Sequence, residues 1–495
     1  MININIKNTC EPQYRPAWPR GEAVCLALTV LIAAGLRFAW LNRHSLWFDE
    51  VVTMRLALAP DLSELARLLP KIDAVGAPLY PLLLHYWIGL FGSSDLAARL
   101  LSAVISLATV TTACWVGTVA YNRRVGLWCA WLVALCPAEV QYAQEVRMYS
   151  ILVLVTCLCW GCLFSFRSSA PWWKQFAFTL WLIALPYTHP LGGLMVVALA
   201  VGYVLDRPRS QLEFRSWILI HIVVASVLAL WVNRYLDHPP DLKEGPKTWS
   251  GYITWLRVFT GGNGTVAWSC LALIVLGLFT RLPRAANPDQ GLTESCHRPW
   301  LDRYRFDDLQ TARVVLAWLI IPPVLMIAYS RLRHPVFGPV RYMVFVGPAY
   351  LLLLARSLSK LPVCAGASLA LAGAVLAGGM IQDRVYNSVA KSNWRGLAQV
   401  IKAIDPNAPL VHCCSEPHIY YYTIHYYLVS NYETIYLYKY IEKLKNNPRA
   451  RAQRSWMVVD QLDGINPPPA LMDLFDEPAR SWRFGRLTLT YRRVR

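Results

Sequence analysis

Charged side chains are scarce in this chain. Asp, Glu, Lys and Arg make up only 16% of its 495 residues, and 56% of the residues are hydrophobic. A soluble protein carries about 25% charged residues, so the scarcity excludes an ordinary soluble domain. Apolar runs recur over the first 380 residues, and a helix crosses a bilayer with about 20 such residues. The sequence therefore predicts a polytopic α-helical membrane protein.

Paired cysteine motifs and internal repeats are also lacking. The chain has 13 cysteines, but no CxxC pair has a matching second pair, which argues against a zinc site of that type. Most of the cysteines, such as Cys114, Cys129 and Cys157, lie inside apolar runs, where cysteine behaves as a small hydrophobic residue. A disulfide framework is therefore excluded.

Positive charge is in excess, since the net charge is +18, but the sequence does not gather it into one basic surface. The Arg and Lys residues fall mainly in short loops between apolar runs, a distribution that sets the orientation of a protein in the membrane. A nucleic-acid-binding protein would concentrate these residues on one face. We therefore expect no nucleic-acid partner.

The basic loops predict how the chain crosses the membrane. Segment 1–20 is interpreted as a cytoplasmic tail and run 22–41 as a retained first span, because the tail is too long for the start of a cleaved signal. Keeping basic loops inside throughout gives roughly eleven spans and an extracytoplasmic C-terminal part. The predicted spans are 22–41, 97–121, 125–136, 148–166, 176–186, 191–205, 217–236, 266–279, 314–329, 342–354 and 361–380.

Two segments of the first outer loop are predicted not to cross. Segment 61–69 has apolar residues at helical spacing and a polar face, which is typical of a helix lying on the membrane. Run 78–91 is apolar but short for a span, so we interpret it as an interfacial or re-entrant helix. If it did cross, Arg123 and Arg124 would lie outside, against the orientation rule.

The composition changes after residue 380, where helical and strand patterns alternate. This alternation predicts a small α/β domain. The predicted organisation is a transmembrane domain over 1–380 and an extracytoplasmic α/β domain over 381–495. The predicted elements of the second domain are helices 393–402, 418–428 and 436–445, and strands 408–413, 456–460 and 487–491.

Two adjacent carboxylates, Asp49 and Glu50, directly follow the first predicted span, beside Trp47 and Phe48. A carboxylate at a membrane boundary costs free energy unless it is hydrated or paired. The alternative to a functional role is that both are hydrated at the level of the lipid headgroups, next to an aromatic belt. Charged residues in other outer loops favour the functional role.

Three further outer loops supply those residues. In segment 144–149 the alternative to a functional site is a local ion pair between Glu145 and Arg147, and for His189 the alternative is a structural interfacial histidine. Loop 330–342 is positive against the orientation rule, which an anionic ligand would explain; lipid headgroup contact is the alternative. The candidate ligand-binding residues are Arg147, Tyr149, His189, Arg331, Arg333, Arg341 and Tyr342.

These residue types fit one kind of chemistry. A carboxylate can accept a proton from a hydroxyl group, and arginines bind phosphate through charge-assisted, bidentate hydrogen bonds. We therefore predict group transfer from a phosphate leaving group at the outer membrane face. Asp49, Glu50 and Glu145 are the candidate catalytic residues.

A series of short motifs resembles the GT-C glycosyltransferases that use polyprenyl-phosphate sugars. The resemblance covers nearly the whole chain and is nearest to family 39-like enzymes, namely protein O-mannosyltransferases and bacterial aminoarabinose–lipid A transferases. Each motif is short, but their order and spacing together are fairly specific. The motifs are Trp47-Phe48-Asp49-Glu50, Pro78-Leu79-Tyr80, Ala98-Arg99-Leu100, Gln144-Glu145-Val146-Arg147-Met148-Tyr149, Tyr187-Thr188-His189, Arg341-Tyr342 and Trp394-Arg395-Gly396.

The resemblance implies an active site on the outer face of the plasma (inner) membrane, with Asp49 as catalytic base and Glu50 in support. It implies a polyprenyl-phosphate monosaccharide donor among the membrane lipids, and a lipid, glycan or protein acceptor. A single displacement would invert the anomeric carbon. Relatives often carry His-Pro-Pro where this chain has Gly76-Ala77-Pro78. A histidine that could help to bind a divalent metal is therefore missing, and no metal ligand is assigned.

Three alternatives stay open at this stage. A transporter or flippase would also have many spans, but transporters often show inverted repeats and charges near the membrane midplane. Here no repeat is evident and the charged clusters are predicted at one face. A polysaccharide polymerase or ligase would also carry arginines in outer loops. A non-catalytic scaffold would tolerate replacement of the outer carboxylates.

Overall fold

The computed structural model describes most of the chain. The described residues are 19–73, 76–236, 254–260, 262–279, 299–332, 340–382, 393–404, 410–413, 423, 426–428, 434–436, 454–460, 480–484 and 487–493. Helices dominate these residues as far as Ile381, and the described strands follow. This division agrees with the change of composition that the sequence shows after residue 380.

The helices before Ile381 are mostly apolar, and three of them contain internal proline, at Pro70, at Pro186 and at Pro322–Pro323. They are α1 (Arg20–Phe38), α2 (Phe48–Ala57), α3 (Leu62–Ile72), α4 (Leu79–Phe91), α5 (Asp95–Ala120), α6 (Arg123–Leu135), α7 (Pro137–Ala143), α8 (Tyr149–Ser165), α9 (Trp172–Thr188), α10 (Gly192–Asp206), α11 (Phe214–Leu236), α12 (Gly264–Phe279), α13 (Pro299–Leu332), α14 (Gly347–Leu358) and α15 (Val363–Ile381). Short 3-10 helices lie at Arg207–Arg209, Thr254–Thr260 and Val340–Val346.

A helix coincides with each of the eleven predicted spans. By length and composition, four of the described helices are each able to cross a membrane, and a fifth crossing results if the bent pair α6–α7 counts as one span. The four are α1, α5, the part of α13 from Leu309 to Leu332, and α15. The chain is thus a multi-pass membrane protein, while the count of eleven crossings stays a prediction.

The two segments predicted not to cross are both helices, and their position relative to the membrane stays a prediction. In α3 the apolar residues Leu65 and Leu69 are buried while most of the other face is exposed. Helix α4 has only 13 residues, fewer than the about 20 that a span requires. Both helices connect α2 to α5 and form part of the wall beside Asp49.

One loop predicted from the sequence is in fact a helix. Segment 137–147 was expected to be an outer loop, but its first part forms α7, bent by 59° from α6. The bend falls at Cys136, where the next residue, Pro137, occupies the first position of α7. Proline suits the first turn of a helix because its missing N–H has no partner there. The buried short helix brings Arg147 back toward Asp49.

The core of the helical part is built around α5, which packs against α6 and α8, while α14 packs against α6. Glycine allows the closest of these approaches. A Cβ atom added at Gly117 would lie 2.8 Å from the Cα atom of Gly126, a separation that real Cβ atoms do not tolerate. The α5–α6 contact is therefore a backbone-to-backbone approach that larger side chains would prevent.

The described residues of the C-terminal part form a helix and a mixed sheet. Its elements are α16 (Trp394–Ile404), β1 (Leu410–Cys413), β2 (Thr434–Tyr436), β3 (Arg454–Asp460), β4 (Arg480–Phe484) and β5 (Leu487–Arg493), with strand order β2-β1-β3-β5-β4. Strand β1 is parallel to β2 and β3, whereas β5 is antiparallel to β3 and β4. Trp394, Leu397 and Ile401 of α16 pack on Trp456 of the sheet.

Two helices predicted for this domain lie mostly outside the described residues. Most of 418–428 lies outside the described residues, although 426–428 is helical. The prediction for 436–445 was wrong at its first residue, since Tyr436 ends strand β2, and the rest lies outside the described residues. Tyr436 fits a strand because aromatic residues favour the pleated, half-buried surface of a sheet.

Basic side chains gather at the opposite end of the helices from Asp49. Arg167, after α8, donates to both carboxylate oxygens of Asp206 at 2.9 and 2.8 Å. Arg356 and Lys360, at the end of α14, each donate to the carbonyl oxygen of Gly277 at 2.7 Å. These cations neutralise helix C-termini at one end, where the macrodipole is negative.

Candidate active site

The first turn of α2 holds the two carboxylates predicted to be functional. Glu50 is the third residue of the helix, and its Oε2 atom accepts a hydrogen bond from the backbone N–H of Trp47 at 3.1 Å. This contact is half of a capping box and fixes the start of the helix. Asp49 and Glu50 then point in different directions, because successive helical residues are about 100° apart.

Glu50 is completely buried and forms an ion pair with Arg99 of α5. The guanidinium group donates from Nε to Oε1 at 3.1 Å and from Nη2 to Oε2 at 2.9 Å, and the exposed fractions of the two side chains are 2% for Arg99 and 0% for Glu50. The N–H of Val146 donates to Oε1 at 2.9 Å. With both oxygens bonded and no exposure, Glu50 supports the site but does not face a substrate.

Asp49 has a different environment. Its Oδ2 atom lies 3.0 Å from Nη1 of Arg341, and its side chain is 18% exposed. Arg341 belongs to the 3-10 helix before α14, so this contact joins the first outer loop to a loop nearly 300 residues later. Asp49 is therefore a partly accessible carboxylate that faces a cation.

Arg147 approaches Asp49 from a third loop. Its Nη1 atom donates to the backbone oxygen of Asp49 at 3.2 Å and to the hydroxyl of Thr53 at 2.9 Å, and lies 3.6 Å from Oδ2 of Asp73. Burial opposes the charge of Arg147, but Asp73 and Asp49 outweigh it and keep its pKa above the usual value. The ion-pair partner of Arg147 is therefore Asp73. The alternative interpretation of the sequence had been a local ion pair between Arg147 and Glu145.

His189 completes the group from the end of α9. Its Nδ1 atom accepts a hydrogen bond from the N–H of Leu191 at 3.1 Å, so the proton of the neutral ring is on Nε2. Burial, with Arg147 and Arg341 close by, lowers the pKa of His189 to about 3. The imidazole is therefore neutral at physiological pH and presents an N–H group beside two guanidinium groups.

Three buried N–H groups of this site have no hydrogen-bond acceptor among the described residues. They are Nε of Arg147, Nε of Arg341 and Nε2 of His189. A buried polar group without a partner costs about 1–3 kcal/mol, more if it is charged, and such groups in native structures need an explanation. An anion bound between these side chains would accept from all three.

Aromatic rings line the same site. The ring centre of His189 lies 5.6 Å from that of Tyr342 and 6.2 Å from that of Tyr149. The guanidinium carbon of Arg341 lies 5.4 Å from the ring centre of Trp47 and 5.8 Å from that of Tyr342. These cation–π contacts hold the Arg341 guanidinium in place.

The remaining predicted residues are Glu145, Arg331 and Arg333. Glu145 is buried with 4% of its surface exposed and accepts from the N–H of Arg147 through its backbone oxygen at 2.8 Å. Arg331 is exposed in the last turn of α13, and Asp49 pairs with Arg341 instead. Arg333 lies outside the described residues. The site therefore contains Asp49, Arg147, Tyr149, His189, Arg341 and Tyr342 of the predicted set.

Two residues of the site were not predicted from the sequence. Asp73 directly follows α3 and is 7% exposed, and the local sequence gave no sign that it would be buried against Arg147. Arg99 was part of a motif, Ala98-Arg99-Leu100, but had no assigned role. Arg99 is a lone arginine in an apolar run, and this could have indicated a role, since a charge in a membrane helix needs a partner.

The described residues contain no group of three His, Cys, Asp or Glu side chains placed to hold a metal ion. Asp49 and Asp73, the two acids nearest Arg147, contact guanidinium groups instead. The side chains that face Asp49 thus offer N–H groups, and N–H groups are suited to bind an anion.

Comparison with known proteins shows similarity at the level of structure. No family model and no curated protein sequence matches the chain. ArnT from Cupriavidus metallidurans in the apo state matches with a TM-score of 0.60 at 13% identity, over 95% of this chain and 98% of that chain. The same protein bound to undecaprenyl phosphate gives 0.53 at 12% identity, over 95% and 97% of the two chains.

An archaeal protein has the same architecture. The oligosaccharyltransferase AglB from Archaeoglobus fulgidus, in complex with an inhibitory peptide and a dolichol-phosphate, matches with a TM-score of 0.52 at 11% identity. The match covers 89% of this chain and 69% of that chain. At these identities the likeness shows the fold alone, which this chain shares with ArnT and AglB.

Proposed function

We propose that this protein is a membrane glycosyltransferase that moves a monosaccharide from a polyprenyl-phosphate donor to an acceptor hydroxyl group. The observation that carries the proposal is a set of three buried N–H groups, on Arg147, Arg341 and His189, beside the carboxylate of Asp49; none of the three has an acceptor among the described residues. The fold supports it, because structures with this fold bind undecaprenyl phosphate in ArnT and dolichol-phosphate in AglB.

Each group has a distinct part in the proposed reaction. Asp49 accepts the proton of the acceptor hydroxyl as its oxygen attacks the anomeric carbon. The bond from that carbon to the phosphate oxygen breaks, and the polyprenyl phosphate leaves with the electron pair. Arg147, Arg341 and the Nε2–H of His189 stabilise the negative charge that develops on the leaving phosphate. A single displacement of this kind inverts the anomeric configuration.

Neutral His189 suits this part. Because its pKa is lowered to about 3, His189 keeps the same charge state throughout the physiological pH range. It therefore donates the same hydrogen bond over that range. The rings of Tyr149 and Tyr342 lie beside His189, and we assign them to packing against the sugar. We assign Glu50 and Arg99 to holding the first turn of α2, and thereby Asp49, in position.

The proposed orientation puts this site outside the cell membrane. Basic residues at the other end of the helices, such as Arg167 and Arg356, support it, because cytoplasmic loops carry an excess of Lys and Arg. The proposed location is the plasma (inner) membrane. The proposed partners are a polyprenyl-phosphate sugar donor and a lipid, glycan or protein acceptor.

The test is a transfer assay with the purified full-length protein in lipid nanodiscs. Undecaprenyl-phosphate-linked pentoses and hexoses are supplied with a mixture of cell-envelope acceptors, and released undecaprenyl phosphate is measured. We expect release with the wild-type protein and a loss of about 10²–10⁴-fold for Asp49→Asn, which is the usual contribution of a general base.

Two controls make the assay decisive. Asp61→Asn removes an exposed carboxylate of the same outer loop and should leave release unchanged. Equal melting temperatures of wild type and Asp49→Asn would show that the fold is intact. Wild-type turnover by Asp49→Asn would remove Asp49 from the role of base, and no release from any donor would overturn the proposed function.

A further inference from the structure

The C-terminal domain contacts the stretch of chain that leads directly into the site. This stretch, residues 41–46, is called the lead-in segment below. The N–H of Trp394 donates to the hydroxyl of Ser45 at 2.9 Å, and the N–H of Leu46 donates to the hydroxyl oxygen of Tyr427 at 2.6 Å. These bonds span more than 340 residues of sequence, so they join the C-terminal domain to the lead-in segment.

Tyr427 is also tied to the membrane domain. Its hydroxyl donates to Oδ2 of Asp95, in the first turn of α5, at 2.7 Å. Arg395 of α16 forms an ion pair with the same oxygen and donates to the backbone oxygen of Asn42 at 3.2 Å. One carboxylate of α5 thus anchors two side chains of the C-terminal domain, and each of them reaches the lead-in segment.

The lead-in segment is held from its other side by α5. Arg99, one helical turn after Asp95, donates to the backbone oxygens of Leu41 at 2.9 Å and Ser45 at 3.0 Å. Arg99 is buried and also pairs with Glu50. The segment therefore lies between a membrane helix and the C-terminal domain, and hydrogen bonds from both fix its backbone.

The conformation of the lead-in segment sets the position of Asp49. Leu46 is followed by Trp47, the N-cap of α2, and Asp49 lies in the first turn of that helix. A displacement of the start of α2 would move the carboxylate relative to Arg341, which it now contacts at 3.0 Å. A misplacement of about 1 Å can slow a reaction about 100-fold.

From these contacts we propose that Arg395 and Tyr427 are positioning residues, through which the C-terminal domain holds Asp49 in its catalytic geometry. The inference rests on the proposed function and extends it, because it makes the domain part of the catalytic unit. The C-terminal domain then affects the rate of the chemical step. Donor affinity depends instead on Arg147, Arg341 and His189, and among the described residues none of the C-terminal domain contacts these three.

The test compares two adjacent tyrosines in the full-length protein. Tyr427→Phe keeps the ring and removes the hydroxyl that bridges Leu46 and Asp95. Tyr426→Phe is the matched control, because its ring packs edge-on against Tyr427 at 5.1 Å while its hydroxyl makes no hydrogen bond to the described residues. We expect Tyr427→Phe to lower kcat about tenfold, equivalent to ~1.4 kcal/mol, with the donor KM within about twofold of wild type.

A second measurement does not depend on activity. Hydrogen exchange of a peptide that covers the lead-in segment reports on the Leu46 N–H, which loses its acceptor in Tyr427→Phe. We expect faster exchange in Tyr427→Phe than in Tyr426→Phe, with exchange in α5 and α8 unchanged. Faster exchange over the whole protein would instead indicate a loss of stability.

The outcomes separate the two proposals. Equal kcat values and equal exchange for the two tyrosine variants would overturn the positioning role while leaving the glycosyltransferase proposal intact. A fall in kcat accompanied by a matching rise in donor KM would also overturn it, because a positioning residue for the base leaves donor binding unchanged. A wild-type protein without transferase activity would overturn the proposed function and this inference together, whatever the exchange data show.

Discussion

Asp49 and Glu50 are neighbours in the sequence, but they occupy different environments. Glu50 is fully buried and its oxygens accept from Arg99, Trp47 and Val146. Asp49 keeps 18% of its side chain exposed and faces one guanidinium group. Two residues of the same chemical type thus differ in burial and partners, which agrees with the separate roles proposed for them.

This difference predicts opposite effects for two matched substitutions. Glu50→Gln leaves the buried charge of Arg99 without its counter-ion, and breaking a buried ion pair costs about 3–5 kcal/mol. We expect a large fall in thermal stability and in yield for Glu50→Gln, measured by unfolding in detergent. Asp49→Asn should unfold close to the wild-type temperature, because its side chain is partly solvated. A more stable Glu50→Gln variant would contradict the role given to Glu50.

His189 predicts a pH dependence of stability. Its pKa is lowered from 6.5 to about 3 in the folded protein, so between these values the unfolded chain binds a proton that the folded protein does not. Stability therefore falls as the pH drops below about 6.5, by up to ~1.4 kcal/mol for each pH unit. Above that pH the contribution of His189 is constant.

The measurement is the unfolding temperature at pH 7.5 and pH 5.5 for the wild type and His189→Gln. Glutamine cannot take up the proton, so the variant should lose less stability on acidification than the wild type. Identical losses in the two proteins would show that His189 is protonated in the folded state, and would undo its assignment as a neutral donor.

Close helix contact decides the architecture of the membrane domain at the scale of the element. A Cβ atom added at Gly126 of α6 would lie 2.3 Å from Oγ1 of Thr118 and 2.5 Å from the backbone oxygen of Cys114. At Gly35 of α1, by contrast, an added Cβ atom would meet nothing within 4 Å. The first glycine is required by packing, and the second is not.

We therefore expect Gly126→Ala to destabilise the protein by about 1–3 kcal/mol, the usual cost of overpacking. Gly35→Ala should be neutral or stabilising by about 0.5–1 kcal/mol, because alanine favours the helix. Detergent unfolding curves of the two variants give the comparison. Equal stability for both would mean that α5 and α6 lie further apart than the structure shows.

At the scale of the whole molecule, charged residues gather at both ends of the helices before Ile381. The site around Asp49 lies where α1 and α9 end and where α2, α5 and α8 begin. The end marked by Arg167, Asp206 and Arg356 lies at the other end of α8, α10 and α14. Under the positive-inside rule, we expect the second end to face the cytoplasm.

Cysteine labelling in intact cells tests this orientation. Arg67, exposed on α3, and Ser168, exposed after α8, lie toward opposite ends. A membrane-impermeant thiol reagent should label Arg67→Cys in intact cells and Ser168→Cys only after permeabilisation, with the wild type as background for its native thiols. The reverse pattern would put the site in the cytoplasm and contradict the proposed orientation.

The membrane class, the helical elements and the main site residues followed from the sequence. Apolar runs determine where helices form, because an unpaired backbone cannot lie in lipid. The motifs around Asp49, Arg147, His189 and Arg341 contained the residue types that the site uses. Their loops were assigned to one membrane face from charge alone, and the structure does bring these four side chains together.

The ion-pair partner of each charged residue depends on the tertiary structure. The sequence allowed a Glu145–Arg147 pair, but Arg147 meets Asp73, and Glu50 is neutralised by Arg99. It also gave no sign that Tyr427 would contact the lead-in segment. Such contacts depend on burial and on separations of tens to hundreds of residues, whereas the local pattern reports only on spacing within an element. The kind of residue is a property of the chain, and its partner is a property of the fold.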